Sequence, residues 1–190
     1  RAAVVHDPCK GETFEAERGG GAFLNRKALR VSATKELNDA LLVTGFPYDR
    51  REQSTFYLRH FEAFMHSAQD VRRLGSAALD LCYVAAGRFE GFWEFKLHPW
   101  DTAAGWLIVE EAGGRVSDFD GAVYDAWLPR ILATNGLIHD QAMAVLARLG
   151  TEPHRSAGLR RMRWARLYAL AGQSERAQAH PSVARDLSGP

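Results

Sequence analysis

The sequence predicts an α/β fold in which sheets and helices pack in layers. Residues 1–31 combine short apolar runs, one polar–apolar alternation at residues 12–17 and turn residues between them, which is typical of strands. Strands and helices then alternate from residue 41 to residue 149, a pattern that favours mixed layers of sheet and helix. Hydrophobic residues make up 46% of the 190 residues, which is enough for the core of one domain.

The first part of the chain predicts an antiparallel meander. Residues 2–5 form a short apolar run, and residues 12–17 alternate with a period of two. A glycine-rich turn leads into a strand at residues 22–24, and a polar turn leads into a further strand at residues 28–31.

The middle of the chain predicts five strands and four helices. The strands are expected at residues 41–45, 71–74, 89–95, 115–119 and 131–134, and the helices at residues 49–67, 77–86, 100–112 and 139–149. The apolar side of the first helix is expected to carry Phe56, Leu58, Phe61, Phe64 and Met65. Ser76 and Gly87 are typical of the first and last caps of the second helix.

Composition and charge argue against several classes of protein. The net charge of +1 gives no indication of a nucleic-acid surface. Cys9 and Cys82 are too few and too far apart for a disulfide framework or a zinc site. No apolar run reaches the ~18–20 residues of a membrane span, and the first residues turn polar too soon for a signal peptide. A reducing, cytoplasmic location is therefore expected.

The composition changes after Gly150. Residues 151–190 contain seven arginines against three acidic residues, with a weak helical pattern around residues 162–170. We therefore expect a domain at residues 1–150 and a basic tail at residues 151–190 that is disordered or loosely helical. The alternative is an arm that contacts RNA or another protein, although nothing beyond two aromatic residues supports it.

Asp101 is the strongest candidate for a functional residue. It lies in the first turn of a helix that is otherwise apolar, where free N–H groups and the helix dipole stabilise a carboxylate. The small residues Ala103, Ala104 and Gly105 follow at once and would let a backbone or a ligand approach closely. The alternative for a lone aspartate at this position is a simple helix cap.

The junction formed by Gly75, Ser76 and Ala77 is a second candidate. A turn between a strand and a helix presents backbone N–H groups and one hydroxyl, which suit hydrogen bonds to substrate oxygens; an ordinary N-cap is the alternative. Glu94 lies between the two candidates in sequence. It is either a solvated strand residue or an acceptor for sugar hydroxyls.

Taken in order, these segments resemble the inositol monophosphatase family over residues 1 to about 150. The resemblance rests on Asp7-Pro8, Glu12, Phe14, Ala16, Gly19-Gly20-Gly21-Ala22-Phe23, Asn25, Arg73-x-x-Ser76-Ala77-Ala78, Gly87-x-x-x-Gly91, Trp93-Glu94, Trp100-Asp101-x-Ala103-Ala104-Gly105, Glu111-Ala112-Gly113-Gly114 and Asp118-x-Asp120-Gly121. The Trp-Asp-x-Ala-Ala-Gly element and the downstream Glu-Ala-Gly-Gly element are the most specific of these.

The resemblance implies an αβαβα layered sandwich that hydrolyses inositol-1-phosphate or a related sugar or polyol phosphate with Mg²⁺. In the family pattern Asp101 is a metal ligand. We assign no residue of this chain a catalytic role. The substrate pocket would be lined by Gly75, Ser76, Ala77 and Glu94. His98 lies near the site and is given no role in the reaction. A homodimer is also implied, and no membrane partner is expected.

The chain departs from the family pattern at its beginning. The upstream Glu and the Asp-Pro-x-Asp-Gly-Thr element of the family are absent, and the lysine of Cys9-Lys10-Gly11 stands where a second aspartate is expected after Asp7-Pro8. One carboxylate cannot hold two or three Mg²⁺ ions, because each prefers about six oxygen ligands. The chain also opens with Arg1 and enters an apolar run at once. We therefore expect a fragment that is truncated at its amino terminus and inactive by itself.

Two alternatives remain open at this point. The first keeps the chemistry and changes the substrate to fructose bisphosphate, histidinol phosphate or adenosine bisphosphate. The second is a non-catalytic protein, either a dimer partner or a regulator, whose basic tail contacts RNA or another protein.

Overall fold

A computed structural model describes residues 1–150, which form two sheets with two helices packed between them. Two further helices cover the opposite face of the second sheet. The layers therefore run sheet, helices, sheet, helices. This order confirms the predicted α/β layered sandwich and corresponds to four consecutive layers of an αβαβα arrangement.

The first sheet is an antiparallel meander in sequence order. Its strands are β1 (Ala2–Asp7), β2 (Glu12–Glu17), β3 (Gly21–Leu24) and β4 (Lys27–Ala28). The prediction of a strand at residues 28–31 was wrong beyond Ala28. The N–H of Val31 donates to the carbonyl of Ala112 at 3.2 Å instead, because the chain leaves the sheet and runs to the end of a helix.

The second sheet has the strand order β6-β5-β7-β9-β8. Its strands are β5 (Leu41–Thr44), β6 (Asp70–Arg72), β7 (Gly91–Phe95), β8 (Arg115–Ser117) and β9 (Arg130–Thr134). A single turn of 3-10 helix at Leu37–Asp39 precedes β5. Strands β6, β5 and β7 are parallel, and β9 is antiparallel to both β7 and β8.

The four helices are α1 (Ser54–Ser67), α2 (Ala77–Ala85), α3 (Pro99–Glu111) and α4 (His139–Ala147). Helices α2 and α3 lie between the sheets and approach each other closely at Gly105. A Cβ at this glycine would lie 2.6 Å from the Cβ of Leu81, so a larger residue would push the two helices apart.

Helix α1 packs on the outer face of the second sheet through Tyr57, His60 and Phe64. The prediction that Leu58 and Met65 face the core was wrong, because these residues are 54% and 60% exposed. Two ring contacts set the orientation of α1. The ring centroid of Phe64 lies 4.1 Å from the ring centroid of Trp93, and the ring centroid of His60 lies 4.9 Å from the ring centroid of Phe95.

The first turn predicted for α1 was also wrong. Residues 49–53 form turns rather than helix. Asp49 accepts a hydrogen bond from the hydroxyl of Tyr57 at 2.8 Å and pairs with Lys96, and these contacts hold it outside the helix.

The predicted tail at residues 151–190 lies outside the described residues, and its boundary and conformation stay predictions. Within residues 1–150, the helices are all too short or too polar to cross a membrane.

Candidate functional site

The sequence-predicted site residues lie at one edge of the second sheet. Strands β6, β5 and β7 are parallel, so their carboxyl ends are side by side. The chain leaves β6 towards Gly75, Ser76 and Ala77, while Glu94 lies near the end of β7 and Asp101 follows it at the start of α3. In open α/β sheets this edge is where ligands bind.

The start of α2 presents backbone N–H groups at this edge. Gly75 is exposed and has a φ of +105°, a conformation that favours glycine. Ser76 is the N-cap, and its hydroxyl oxygen accepts a hydrogen bond from the N–H of Leu79 at 3.5 Å. Ser76 and Ala77 are both half-buried. The structure confirms the cap, and the first-turn N–H groups that a helix leaves unpaired remain available to a ligand.

Asp101 occupies the first turn of α3, as predicted. Its Oδ2 accepts a hydrogen bond from the N–H of His98 at 2.9 Å, and its own N–H donates to the carbonyl of His98 at 2.9 Å. The half-buried carboxylate therefore caps the helix through one oxygen and leaves Oδ1 outside that bond. The ring of His98 stacks on that of Trp100 at 4.5 Å, beside the site.

Glu94 is buried, not a solvated strand residue. Its side chain is 7% exposed, and its carboxylate packs where a Cβ on Gly45 would lie. Burial raises the pKa of Glu94 to about 8. The charge of Arg73 acts in the opposite direction on this pKa, and those of Asp80 and Asp101 raise it further.

Asp80 is a member of this cluster that sequence reasoning missed. It lies in the first turn of α2, is 1% exposed, and neither of its carboxylate oxygens has a hydrogen-bond partner within residues 1–150. Burial raises its pKa to about 7, and Arg73 acts in the opposite direction. The sequence carries one sign of this burial, because Asp80 stands between Leu79 and Leu81 in an apolar helix.

The described residues fit part of a magnesium site. Asp101 offers a carboxylate oxygen, which is the ligand type that Mg²⁺ prefers. Within residues 1–150 no group of three or more His, Cys, Asp or Glu side chains is arranged to hold a metal ion. Asp7 serves a turn instead, since its Oδ1 accepts hydrogen bonds from the N–H groups of Cys9 at 2.9 Å and Lys10 at 3.3 Å.

Comparison with known proteins identifies the family. The profile of the inositol monophosphatase family matches residues 1–151. The chain belongs to this family. The motifs that carry the resemblance are therefore no chance likeness.

Three proteins illustrate the similarity. The chain is 49% identical over 144 residues to an inositol-1-monophosphatase of Synechocystis, covering 76% of this chain and 50% of that protein. It is 52% identical over 119 residues to the Nus factor SuhB of Escherichia coli, covering 63% of this chain and 45% of that protein. The solved structure of an inositol monophosphatase from Anabaena superposes with a TM-score of 0.76 at 46% identity, covering 79% of this chain and 60% of that chain. The chain thus spans about half the length of these curated relatives.

Proposed function

We propose that this site belongs to a Mg²⁺-dependent phosphomonoesterase that acts on inositol-1-phosphate or a related sugar or polyol phosphate. The observation that carries the proposal is the placement of Asp101, Glu94 and the start of α2 at the carboxyl edge of three parallel strands. At this edge a carboxylate can bind a cation, N–H groups can bind substrate oxygens, and a buried carboxyl can bind hydroxyl groups.

In this proposal the start of α2 holds substrate oxygens. Gly75, Ser76 and Ala77 contribute backbone N–H groups, and Ser76 adds a hydroxyl. Oxygen atoms that carry negative charge are favoured at a helix start, because the unpaired N–H groups and the helix dipole both point at them. Glu94 would bind the hydroxyl groups of the polyol from the neighbouring strand.

Asp101 would be a metal ligand through Oδ1. The hydrogen bond from the N–H of His98 to Oδ2 fixes the direction of the carboxylate, so the second oxygen is oriented before a cation arrives. A bound Mg²⁺ would lower the pKa of a water molecule and neutralise the charge on the leaving oxygen.

We also infer that the 190-residue chain is inactive by itself. Asp101 can supply at most two of the roughly six oxygen ligands of each Mg²⁺, and water and phosphate alone do not orient the rest. Much of the rate of such a reaction comes from charges that are fixed in advance.

The test is phosphate release from inositol-1-phosphate at millimolar Mg²⁺. Two proteins are compared: the 190-residue chain, and a fusion protein in which the part of the Synechocystis relative that precedes the matched segment is joined to Arg1. We expect Mg²⁺-dependent release by the fusion protein and background release by the chain alone. A fusion protein that folds and hydrolyses no phosphomonoester would contradict the proposal, and an equally active chain would contradict the account of the metal site.

Substrate choice among related esters is part of the same proposal. Fructose bisphosphate, histidinol phosphate and adenosine bisphosphate are the alternatives, and parallel assays of the fusion protein with each ester rank them. A cytoplasmic location and a homodimer also stay proposals. The free thiols of Cys9 and Cys82 support a reducing compartment.

A regulatory role is a second candidate. One relative, 52% identical over 119 residues, is named Nus factor SuhB rather than for a reaction. An interaction role would use the seven arginines of residues 151–190. Fluorescence anisotropy with a labelled RNA tests it, with a variant in which these arginines are serine as the control. Equal binding by both proteins would argue against the tail as an RNA-binding arm.

A further inference from the structure

Lys96 has a left-handed backbone conformation that no hairpin turn explains. Its φ is +56°, in a region that disfavours a residue with a Cβ by about tenfold. Asn25 and Arg26 also have positive φ values, but they form the two-residue turn between β3 and β4, where the turn type requires them. Lys96 instead directly follows β7, on the way to α3. Strain at such a place persists only when the surrounding structure holds the residue there.

The side chain and the N–H group of Lys96 are both held by other parts of the fold. Its ammonium group pairs with Asp49 and lies 5.4 Å from the ring centroid of Tyr57 on α1. The Tyr57 hydroxyl donates to the same Asp49 carboxylate at 2.8 Å, which fixes the carboxylate for the ion pair. The N–H of Lys96 donates to the carbonyl of Pro129, directly before β9. These contacts come from three separate segments and can offset the cost of the left-handed conformation.

Lys96 lies on the path that joins two residues of the proposed site. Glu94 is two residues before it on β7, and His98 is two residues after it. The N–H of His98 donates to Oδ2 of Asp101 at 2.9 Å, so the direction of the chain after Lys96 carries over to the Asp101 carboxylate. An extended conformation at Lys96 would continue the strand and direct the start of α3 elsewhere.

We propose that Lys96 is a positioning residue: its ion pair with Asp49 holds the backbone in the left-handed conformation that keeps Asp101 at the same edge as Glu94. This inference rests on the proposed function. Without the ion pair, a residue that has a Cβ would leave this conformation, and the competent site would become a minor state. Glycine adopts positive and negative φ about equally, so it would need no ion pair at this position.

The experiment compares Lys96→Ala with Lys96→Gly in the fusion protein. Both variants lose the ion pair, but only alanine keeps the penalty on positive φ. We expect kcat/KM for inositol-1-phosphate to fall about tenfold for Lys96→Ala, because the competent state falls to about a tenth. The fall should be less than about threefold for Lys96→Gly. Equal losses in both variants, or no loss in either, would overturn the proposal.

The matched control is Arg26→Ala. This change also places alanine at a positive φ, but in a hairpin that carries no residue of the proposed site. It should change kcat/KM less than about twofold. A tenfold loss there would show that alanine at a positive φ lowers activity wherever it lies, and would overturn the role of Lys96.

Asp49→Asn tests the ion pair from its other side. The amide oxygen of asparagine can still accept the Tyr57 hydroxyl, but it carries no charge for Lys96. We expect kcat/KM to fall several-fold in the wild-type background and less than about twofold in the Lys96→Gly background, where the pair is no longer needed. The same loss in both backgrounds would show that Asp49 does not act through Lys96.

A measurement without turnover separates this proposal from the proposed function. If the wild-type fusion protein hydrolyses no phosphomonoester, the proposed function fails, and Lys96 is then judged in the 190-residue chain. Hydrogen exchange followed by NMR reports on the His98 N–H that donates to Asp101. We expect this N–H to exchange about tenfold faster in Lys96→Ala than in the wild-type chain, and close to the wild-type rate in Lys96→Gly. Equal rates in all three chains would overturn the positioning role.

Discussion

The carboxylate of Glu94 occupies the space that a Cβ on Gly45 would need. Gly45 directly follows β5, and Glu94 lies in the neighbouring parallel strand β7, where Thr44 is opposite Trp93. Only a glycine directly after β5 leaves room for the carboxyl at this position. The contact screens one side of Glu94 from water, and this burial is the main cause of its raised pKa.

Gly45→Ala should therefore displace Glu94. We expect a loss of about 1–3 kcal/mol in the free energy of unfolding, the usual cost of inserting a methyl group into a packed site. Urea denaturation of the 190-residue chain measures it. Gly20→Ala in an exposed turn is the control, and a loss of the same size there would mean that the Glu94 contact is not the cause.

Gly105→Ala should separate helices α2 and α3. The new Cβ would lie 2.6 Å from the Cβ of Leu81, so we expect the free energy of unfolding to fall. Overpacking costs about 1–3 kcal/mol, and the better helix propensity of alanine offsets at most about 1 kcal/mol of it. If the account is correct, the cost of Gly105→Ala should be smaller when Leu81 is already glycine, which removes both the Cβ and the Cδ1 that the new methyl group would meet. Equal costs in both backgrounds would argue against a clash with Leu81.

The two cysteines should differ in reactivity. Cys9 is exposed, whereas Cys82 is fully buried and burial raises the pKa of its thiol to about 12. The thiolate is the reactive form, so Cys82 should be inert in the folded chain. Titration with an aromatic disulfide reagent should count one thiol in buffer and two in denaturant. Two fast-reacting thiols in buffer would be incompatible with the packing of α2.

His139 should make the fold less stable in acid. Its buried ring lies between Ser117 Oγ at 2.9 Å and Thr134 Oγ1 at 2.9 Å. Burial lowers its pKa to about 4, and Arg115 acts in the same direction. The unfolded chain binds the proton near pH 6.5, so stability is present above that pH and is lost as the pH falls towards 4, by up to about 3 kcal/mol.

The matched variant for this prediction is His139→Gln. Urea denaturation at pH 7 and pH 4.5 isolates the histidine, because the other titrating groups are shared by both proteins. The wild-type chain should lose more stability between the two pH values than the variant. Equal losses would show that His139 takes up its proton without opposing the fold.

The sequence predicted those parts of the site that depend on local structure. Ser76 caps α2 and Asp101 lies in the first turn of α3 because cap chemistry acts within one turn, and the junction at Gly75 follows from the same local rule. The burial of Asp80 depends on how α2 packs between two sheets, and its place between two leucines is a weak sign of it, because a carboxylate in a helix is usually exposed. Leu58 and Met65 were misplaced for a similar reason: the rings around Phe95 set the rotation of α1.

Asp101 is central to the account, and its conservative variant tests it most directly. Asp101→Asn in the fusion protein keeps an oxygen that can accept the N–H of His98, so α3 should still be capped. It removes the negative charge from the proposed metal ligand. Asp140→Asn is the matched control, because Asp140 lies in the first turn of α4, pairs with Arg115 at 2.8 Å and has an 80% exposed side chain.

The decisive measurement is kcat/KM for inositol-1-phosphate at millimolar Mg²⁺ in these two variants of the fusion protein. The account predicts a loss of at least about a hundredfold for Asp101→Asn, the scale of removing one fixed charge from a reacting centre. It predicts less than about a twofold change for Asp140→Asn. Near-wild-type activity of Asp101→Asn, or equal losses in both variants, would contradict the assignment of Asp101 as a metal ligand.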